Sequence, residues 1–157
     1  MSVIGKRLIY VGPADGSNHK PLNVEGKSIT ASVLPGTIVE AVATGLQLNA
    51  SAATLFGQEL LVADKDQMRT LSVDDAWTQD ENMVAIKARS GEFLNVLVAD
   101  GNNILATGTP LSLDGSGVLK IAVTPATVGA TSEQVLCYSD EIINVSGADA
   151  LVRIRVA

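Results

Sequence analysis

Residues 91–124 read GEFLNVLVADGNNILATGTPLSLDGSGVLKIAVT, and this stretch decides the fold class. Residues 93–99 are a nearly unbroken apolar run, and Asp100-Gly101-Asn102-Asn103 supplies a turn. An extended segment restarts at 104–106, Gly108-Thr109-Pro110 makes a corner, and 111–113 continue beyond it. Asp114-Gly115-Ser116-Gly117 is a second tight turn, from which 118–123 lead away. Glycine paired with Asp or Asn between apolar runs marks hairpins, because such turns need positive φ. The spacing predicts a compact β-meander. Its turns hold no catalytic residue types, so it reads as scaffold.

Working outward, the same alternation recurs on both sides. Downstream, residues 134–139 form a strand, 142–145 a short strand or return loop, and 146–149 a turn. The closing strand, 151–156, places Val152, Ile154 and Val156 on one face and Arg153 and Arg155 on the other. Upstream, 82–89 sets Val84, Ile86 and Ala88 against Ala85, Lys87 and Arg89. The acidic segment 72–81, SVDDAWTQDE, offers Ser72 or Asp74 as the cap of a single helical turn. Strands are expected at 37–44 and 59–63, with loop and strand over 46–56. Many short strands between turns indicate an all-β fold, a small β-sandwich or barrel. Its expected core holds Val84, Ile86, Leu97, Ile104, Leu111, Leu119, Ile121, Val152 and Ile154.

Residues 1–36 differ. The run GPADGSNHKPLNVEGKS, residues 12–28, has three glycines, two prolines and few apolar residues. Such a run has little to bury, which predicts loop. The chain divides on this reading into a loop-rich N-terminal arm, 1–36, and a β-domain, 37–157. The arm is expected to reach away from the β-domain and dock through its flanking apolar groups.

Composition narrows the function classes. Apolar residues make up 46% and charged ones 18%, the balance of a folded chain. The net charge of −6 argues against nucleic acid as a ligand, since such binders displace counterions with a basic surface. No basic stripe suits an anionic membrane, and no run approaches the roughly 20 apolar residues that span a bilayer. The start lacks a signal-peptide core, so a protein made and kept in a cytosol, or in something assembled there, is expected. A single cysteine, Cys137, excludes an internal disulfide and a multi-cysteine metal site.

The chemistry-bearing residues are few. His19, the sole histidine, lies in a polar loop with no nucleophile or orienting partner to name. Cys137 sits mid-strand and reads as a small buried hydrophobe. Asp64-Lys65-Asp66 lacks the further oxygens and the glycine of a calcium loop. Gly115-Ser116-Gly117 has no helix after it and is a hairpin turn rather than a phosphate cradle. No catalytic group, cofactor or metal site is therefore assigned, and an enzyme such as a trimeric β nucleotide hydrolase lacks its constellation. Trp77, the sole tryptophan, is either an anchor at an interface or a plug beneath a loop. The run from Phe93 onward is covered on both faces within the fold, or on one by another subunit. Candidate interface residues are Lys6, Arg7, Lys20, Lys27, Trp77 and Phe93.

Several ordered blocks resemble the capsid decoration, or cement, proteins of tailed bacteriophages. They are Leu34-Pro35-Gly36-Thr37-Ile38-Val39-Glu40, Ser72-Val73-Asp74-Asp75-Ala76-Trp77 and Asn82-Met83-Val84-Ala85-Ile86-Lys87-Ala88-Arg89-Ser90-Gly91-Glu92. Leu97-Val98-Ala99-Asp100-Gly101, Ile104, Gly108-Thr109-Pro110-Leu111 and Asp114-Gly115-Ser116-Gly117-Val118-Leu119-Lys120 continue the likeness, and the ending from Leu151 to Val156 suits it. Residues 1–33 lie outside it. The resemblance implies a virion structural protein on the capsid exterior, partnered by the major capsid protein and by itself. A homotrimer is favoured, with a homodimer as the alternative. Lys6, Arg7, Lys20 and Lys27 would suit an acidic outer shell. The alternative reading is a receptor- or carbohydrate-binding virion module, which usually presents more exposed aromatics than this chain offers.

Overall fold

The computed structural model describes residues 6–13, 20–50, 59–123 and 133–157. Among them the chain is all β, with no helix. The strands are β1 (Tyr10–Gly12), β2 (Leu22–Lys27), β3 (Ser32–Val33), β4 (Ile38–Val42), β5 (Gly45–Leu48), β6 (Leu61–Ala63), β7 (Trp77–Thr78) and β8 (Asn82–Lys87). They continue as β9 (Phe93–Val98), β10 (Asn103–Ile104), β11 (Pro110–Leu113), β12 (Leu119–Ile121), β13 (Cys137–Ser139), β14 (Ile143–Asn144) and β15 (Ala150–Val156).

Five of these strands close a barrel in the order β9, β12, β11, β13, β15 and back to β9. The longest seam is β9 with β15, antiparallel from Phe93↔Arg155 to Val98↔Ala150. The expected meander is corrected here. Within 91–124 only β11 and β12 form a hairpin, around the turn at 114–118. β9 meets β12 in parallel at Val98↔Leu119, and β10 leaves to pair with β14. The turn at Asp100-Gly101 cannot fold β10 back onto β9, because both edges of β9 are already taken. β15 fills one edge. Along the other, Ile9 accepts from the Asn95 amide at 2.8 Å, Gly36 from Leu97 at 2.9 Å, and Leu119 from Ala99 at 2.8 Å.

Inside the barrel, Leu94, Val96, Val98, Leu111, Leu113, Leu119, Cys137, Val152, Ile154 and Val156 pack together. The apolar run in β9 is thus covered on both faces within the chain. Leu94, Val96 and Val98 point inward, while Asn95 and Leu97 are buried against residues 8–9 and 36 on the outer wall. The run needs no neighbouring subunit to shield it. Of the expected core, Ile86, Ile104, Leu111, Leu119, Val152 and Ile154 are barrel core, Leu97 is buried outside it, and Val84 and Ile121 are only half-buried.

A second sheet, ordered β2, β8, β6, β4, β5, curls until its ends meet. Ser28 bridges Leu46, and the Ile29 amide donates to the Leu46 carbonyl at 2.9 Å. Its interior holds Val33, Val39, Leu46, Leu61, Ala63, Trp77, Met83 and Ala85, with β3 and β7 paired beside it. The shared strands serve two cores by alternation: Ile38, Val62 and Ile86 reach the barrel core, while Val39, Leu61, Ala63 and Ala85 face the second.

The described part of residues 1–36 belongs to these sheets. β1 pairs with β9, and β2 runs the whole length of β8 from Leu22↔Lys87 to Lys27↔Asn82. The loop expected over this run is corrected to a strand. β2 is mostly exposed, and of its residues only Val24 packs on the second core. Backbone pairing holds it rather than side-chain burial, so the apolar pattern carried no signal. Residues 14–19, with His19, lie outside the described residues. The single helical turn expected near residue 72 is also absent. Ser72 and Asp75 close a turn instead, the Ser72 amide and hydroxyl donating to Asp75 Oδ2 at 2.7 and 2.9 Å.

The barrel and the second sheet are joined through residues 36–38. Gly36 donates to the Ala63 carbonyl at 2.8 Å, Thr37 accepts from the Ala63 amide at 2.8 Å, and Ile38 donates to the Gly117 carbonyl at 2.7 Å. Gly117 has φ +78°, and a Cβ there would sit 2.8 Å from Thr37 Cγ2 and from Leu48 Cγ and 3.0 Å from the Ile38 carbonyl oxygen. Gly117→Ala is expected to cost roughly 2–5 kcal/mol, the sum of left-handed strain and overpacking. Gly101→Ala, at φ +86° with nothing within 4 Å of the new methyl, should cost only the strain, about 1–2 kcal/mol. Urea unfolding of both variants checks the difference; equal losses would mean that the junction is not crowded.

Candidate functional site

Two depressions on this frame gather the side chains worth weighing. The first is polar and centres on the turn after β6. Asp64 Oδ1 accepts from the Lys65 amide at 2.8 Å and its Oδ2 from Gln67 Nε2 at 2.9 Å. Asp66 accepts from the Arg69 amide at 3.0 Å and also pairs with the Arg69 guanidinium. The same guanidinium reaches Glu81 at 2.6 Å and stands 5.8 Å from the centre of the Trp77 ring. Two non-glycine residues with positive φ, Thr70 at 57° and Asp80 at 71°, flank this network. Asn23, Glu25, Met68, Asn82 and Val84 complete the lining.

Burial and hydrogen bonding push the carboxylates apart. Desolvation raises the Asp64 pKa, outweighing its hydrogen bonds. The Arg69 backbone amide, helped by its side chain, holds Asp66 below the ordinary carboxylate range. Arg69 and the Thr78 amide hold Glu81 down to about 2. Among the described residues, no group of three or more His, Cys, Asp or Glu side chains is placed to share a metal ion.

The second depression is an apolar groove of about 760 Å³ along the outer wall of the barrel. Leu34, Pro35, Leu97 and Leu151 lie along it, with Val73 on one side and Ile143 and Val145 on another. Asp74 and Asp149 stand at its rim. Neither carboxylate is ion-paired among the described residues, whereas Lys6, also lining the groove, pairs with Glu141. Burial lowers the Lys6 pKa against the pull of that carboxylate.

The six sequence-derived interface residues do not come together. Trp77 is 3% exposed, sits in the second core and donates from Nε1 to the Asp64 carbonyl at 2.7 Å. Its reading as a surface anchor is corrected: it plugs the second sheet. Phe93 is half-buried on the barrel wall opposite Arg155. Lys27 pairs with Asp80 at 2.7 Å on the far end of β2. Arg7 and Lys20 are exposed, the latter lending its carbonyl to Arg89 at 3.2 Å. Cys137 is buried in the barrel, and desolvation pushes its thiol pKa up, which disfavours the reactive thiolate. Sequence reasoning passed over Met68, which is 94% exposed, and Asp149, and it read Asp74 only as a cap or turn residue. A lone methionine between polar residues carries no period, and two acids 75 positions apart show no link until the chain folds.

No protein-family model matches this chain, and no curated protein matches it. Among the described residues, no helix is long and apolar enough to cross a membrane.

Two outcomes test the electrostatics and packing. Because the folded state raises the Asp64 pKa, the folded chain holds that proton more tightly than the unfolded one. Ionised Asp64 therefore costs stability at neutral pH, and the cost fades as pH falls through its raised pKa towards the ordinary range. Asp64→Asn should raise the urea midpoint at pH 7 and lose that gain on acidification; a gain that persists at low pH would contradict the assignment. Trp77→Phe removes the donor to the buried Asp64 carbonyl and should cost about 1–3 kcal/mol in the same measurement. The wild-type tryptophan emission should be blue-shifted and poorly quenched by acrylamide.

Proposed function

We propose that this chain is a capsid decoration protein of a tailed bacteriophage. In this reading it binds the outer surface of the assembled, expanded head as a homo-oligomer and stabilises the shell against internal DNA pressure. The observation that carries the reading is the set of ordered sequence blocks shared in resemblance with that group, together with their places in the fold. Residues 34–40 contain the junction of barrel and second sheet, 82–92 contain β8 and the turn into β9, and 114–120 contain the hairpin turn that receives Ile38. Several of the resembling blocks fall in segments that build the frame of this chain.

Physical chemistry supports the role. A ligand that binds only the expanded lattice stabilises it by mass action, and many symmetric copies multiply a small gain per copy. The virion location and the major capsid protein as partner belong to the same proposal. The basic side chains left without an ion pair among the described residues include Arg7, Lys20 and Arg155. They are available to an acidic shell surface.

The experiment is sedimentation with empty shells of the phage that encodes the chain. Saturable pelleting with expanded shells, little with procapsids, and a raised shell melting temperature are expected. A chain that stays in the supernatant with both, or that partitions with tails from disrupted virions, overturns the reading in favour of a receptor-binding module.

A further inference from the structure

Met68 projects from a turn that holds it firmly. Asp66 Oδ1 accepts from the Arg69 amide at 3.0 Å, the Asp66 carbonyl from the Leu71 amide at 2.9 Å, and the Gln67 carbonyl from the Thr70 amide at 3.3 Å. Arg69 is tied to Asp66 and Glu81, which anchors the turn to the segment before β8. The backbone thus presents a large apolar side chain, 94% exposed, on a fixed platform. Lys65 stands at the base of the turn and makes no ion pair among the described residues.

The apolar groove is the complement of this knob. Its floor includes Leu97, 8% exposed, and Leu34, 41% exposed. Its rim carries Asp74 and Asp149 without a cation, its own lysine being engaged by Glu141. An apolar projection with a lysine that makes no ion pair among the described residues, and an apolar groove lined by Asp74 and Asp149, lie on one chain. Asp74 follows Met68 by six residues, so the two features are within about 20 Å of each other at full extension. A two-fold axis relating two copies makes such a contact reciprocal, each copy giving one knob and one groove.

We propose that the Met68 turn of one copy seats in the groove of a second copy, with Met68 on the apolar floor and Lys65 facing Asp74. Methionine suits the role, since its flexible thioether fills irregular apolar hollows. The charge pair sets orientation and encounter more than affinity. This contact gives form to the homo-oligomer of the decoration reading, and rests on that reading only in the choice of a second copy as occupant.

The test is solution mass by light scattering and sedimentation equilibrium on the full chain. The wild type should form a dimer of the 16.2 kDa chain. Met68→Asp should weaken self-association by about tenfold or more, as loss of a central apolar anchor does. Lys65→Glu and Asp74→Lys should each weaken it, and the double charge swap should restore it. Thermal melts by circular dichroism should match the wild type at low concentration, since Met68 and Asp74 are exposed. A wild type that is monomeric at every concentration overturns the proposal, as does an oligomer whose mass Met68→Asp leaves unchanged. A dimer that ignores shells sinks the decoration reading and leaves this contact standing; a monomer that sediments with shells does the reverse.

Discussion

Three residues, 36 to 38, bridge two β-systems by backbone hydrogen bonds, and Ile38, Val62 and Ile86 of the second sheet add side chains to the barrel core. Gly36 donates to Ala63 and accepts from Leu97, Thr37 accepts from Ala63, and Ile38 donates to Gly117. β6 of the second sheet and β9 and the β11–β12 turn of the barrel are thereby bridged by one short segment. The close approach excludes a side chain at position 36: a Cβ there would meet Leu151 Cδ2 at 2.4 Å. A glycine at 36 is a condition for this close contact, because Gly36 fills the place between Ile9 and Leu119 along the second edge of β9.

Burial follows from that junction. β4, β6 and β8 are too short to bury much separately, yet each contributes to two cores. A strand with one face on the barrel and the other on the second sheet has no solvent face to fill with charge. This leaves those strands little room for charge. It also accounts for the position of Trp77, whose ring closes the second core while its indole N–H satisfies the Asp64 carbonyl. The Asp64–Glu81 network then stands directly over that ring through Arg69, so the polar depression is built on the second core. Its tight pairing, and the depressed pKa values of Asp66 and Glu81, mark it as a structural clamp for the Met68 turn.

The outer wall of the barrel is where the chain has surface to offer. Leu97 and Leu151 are apolar residues on the outside of a closed barrel, where water would otherwise be. They are covered only in part, by residues 34–35 and the 143–150 segment, and a groove remains between the covers. A groove with an apolar floor and two carboxylates that make no ion pair among the described residues favours apolar occupants that bring a cation. The exposed methionine with a lysine three residues before it has that character, and both belong to the same chain.

The sequence by itself determined the class of fold and much of the barrel interior. Val152 and Ile154 alternate strictly, Leu111 and Leu119 flank a DGSG turn, and period-two burial with glycine at positive φ is a local rule that one chain segment can express. Strand partners were not legible. The turn after β9 looks like a hairpin turn in isolation, and only the occupied edges of β9 send β10 elsewhere. β2 was illegible for a related reason, since an exposed strand held by backbone pairing leaves no mark in the side-chain pattern. The candidate site shows the same limit more sharply. Trp77 went to the interior because a second core existed to receive it, while Met68 and Asp74 acquired meaning from a turn and a groove made of residues distant in sequence. Local chemistry decides which residues avoid water, but only tertiary structure decides which of those that remain in water face a common hollow.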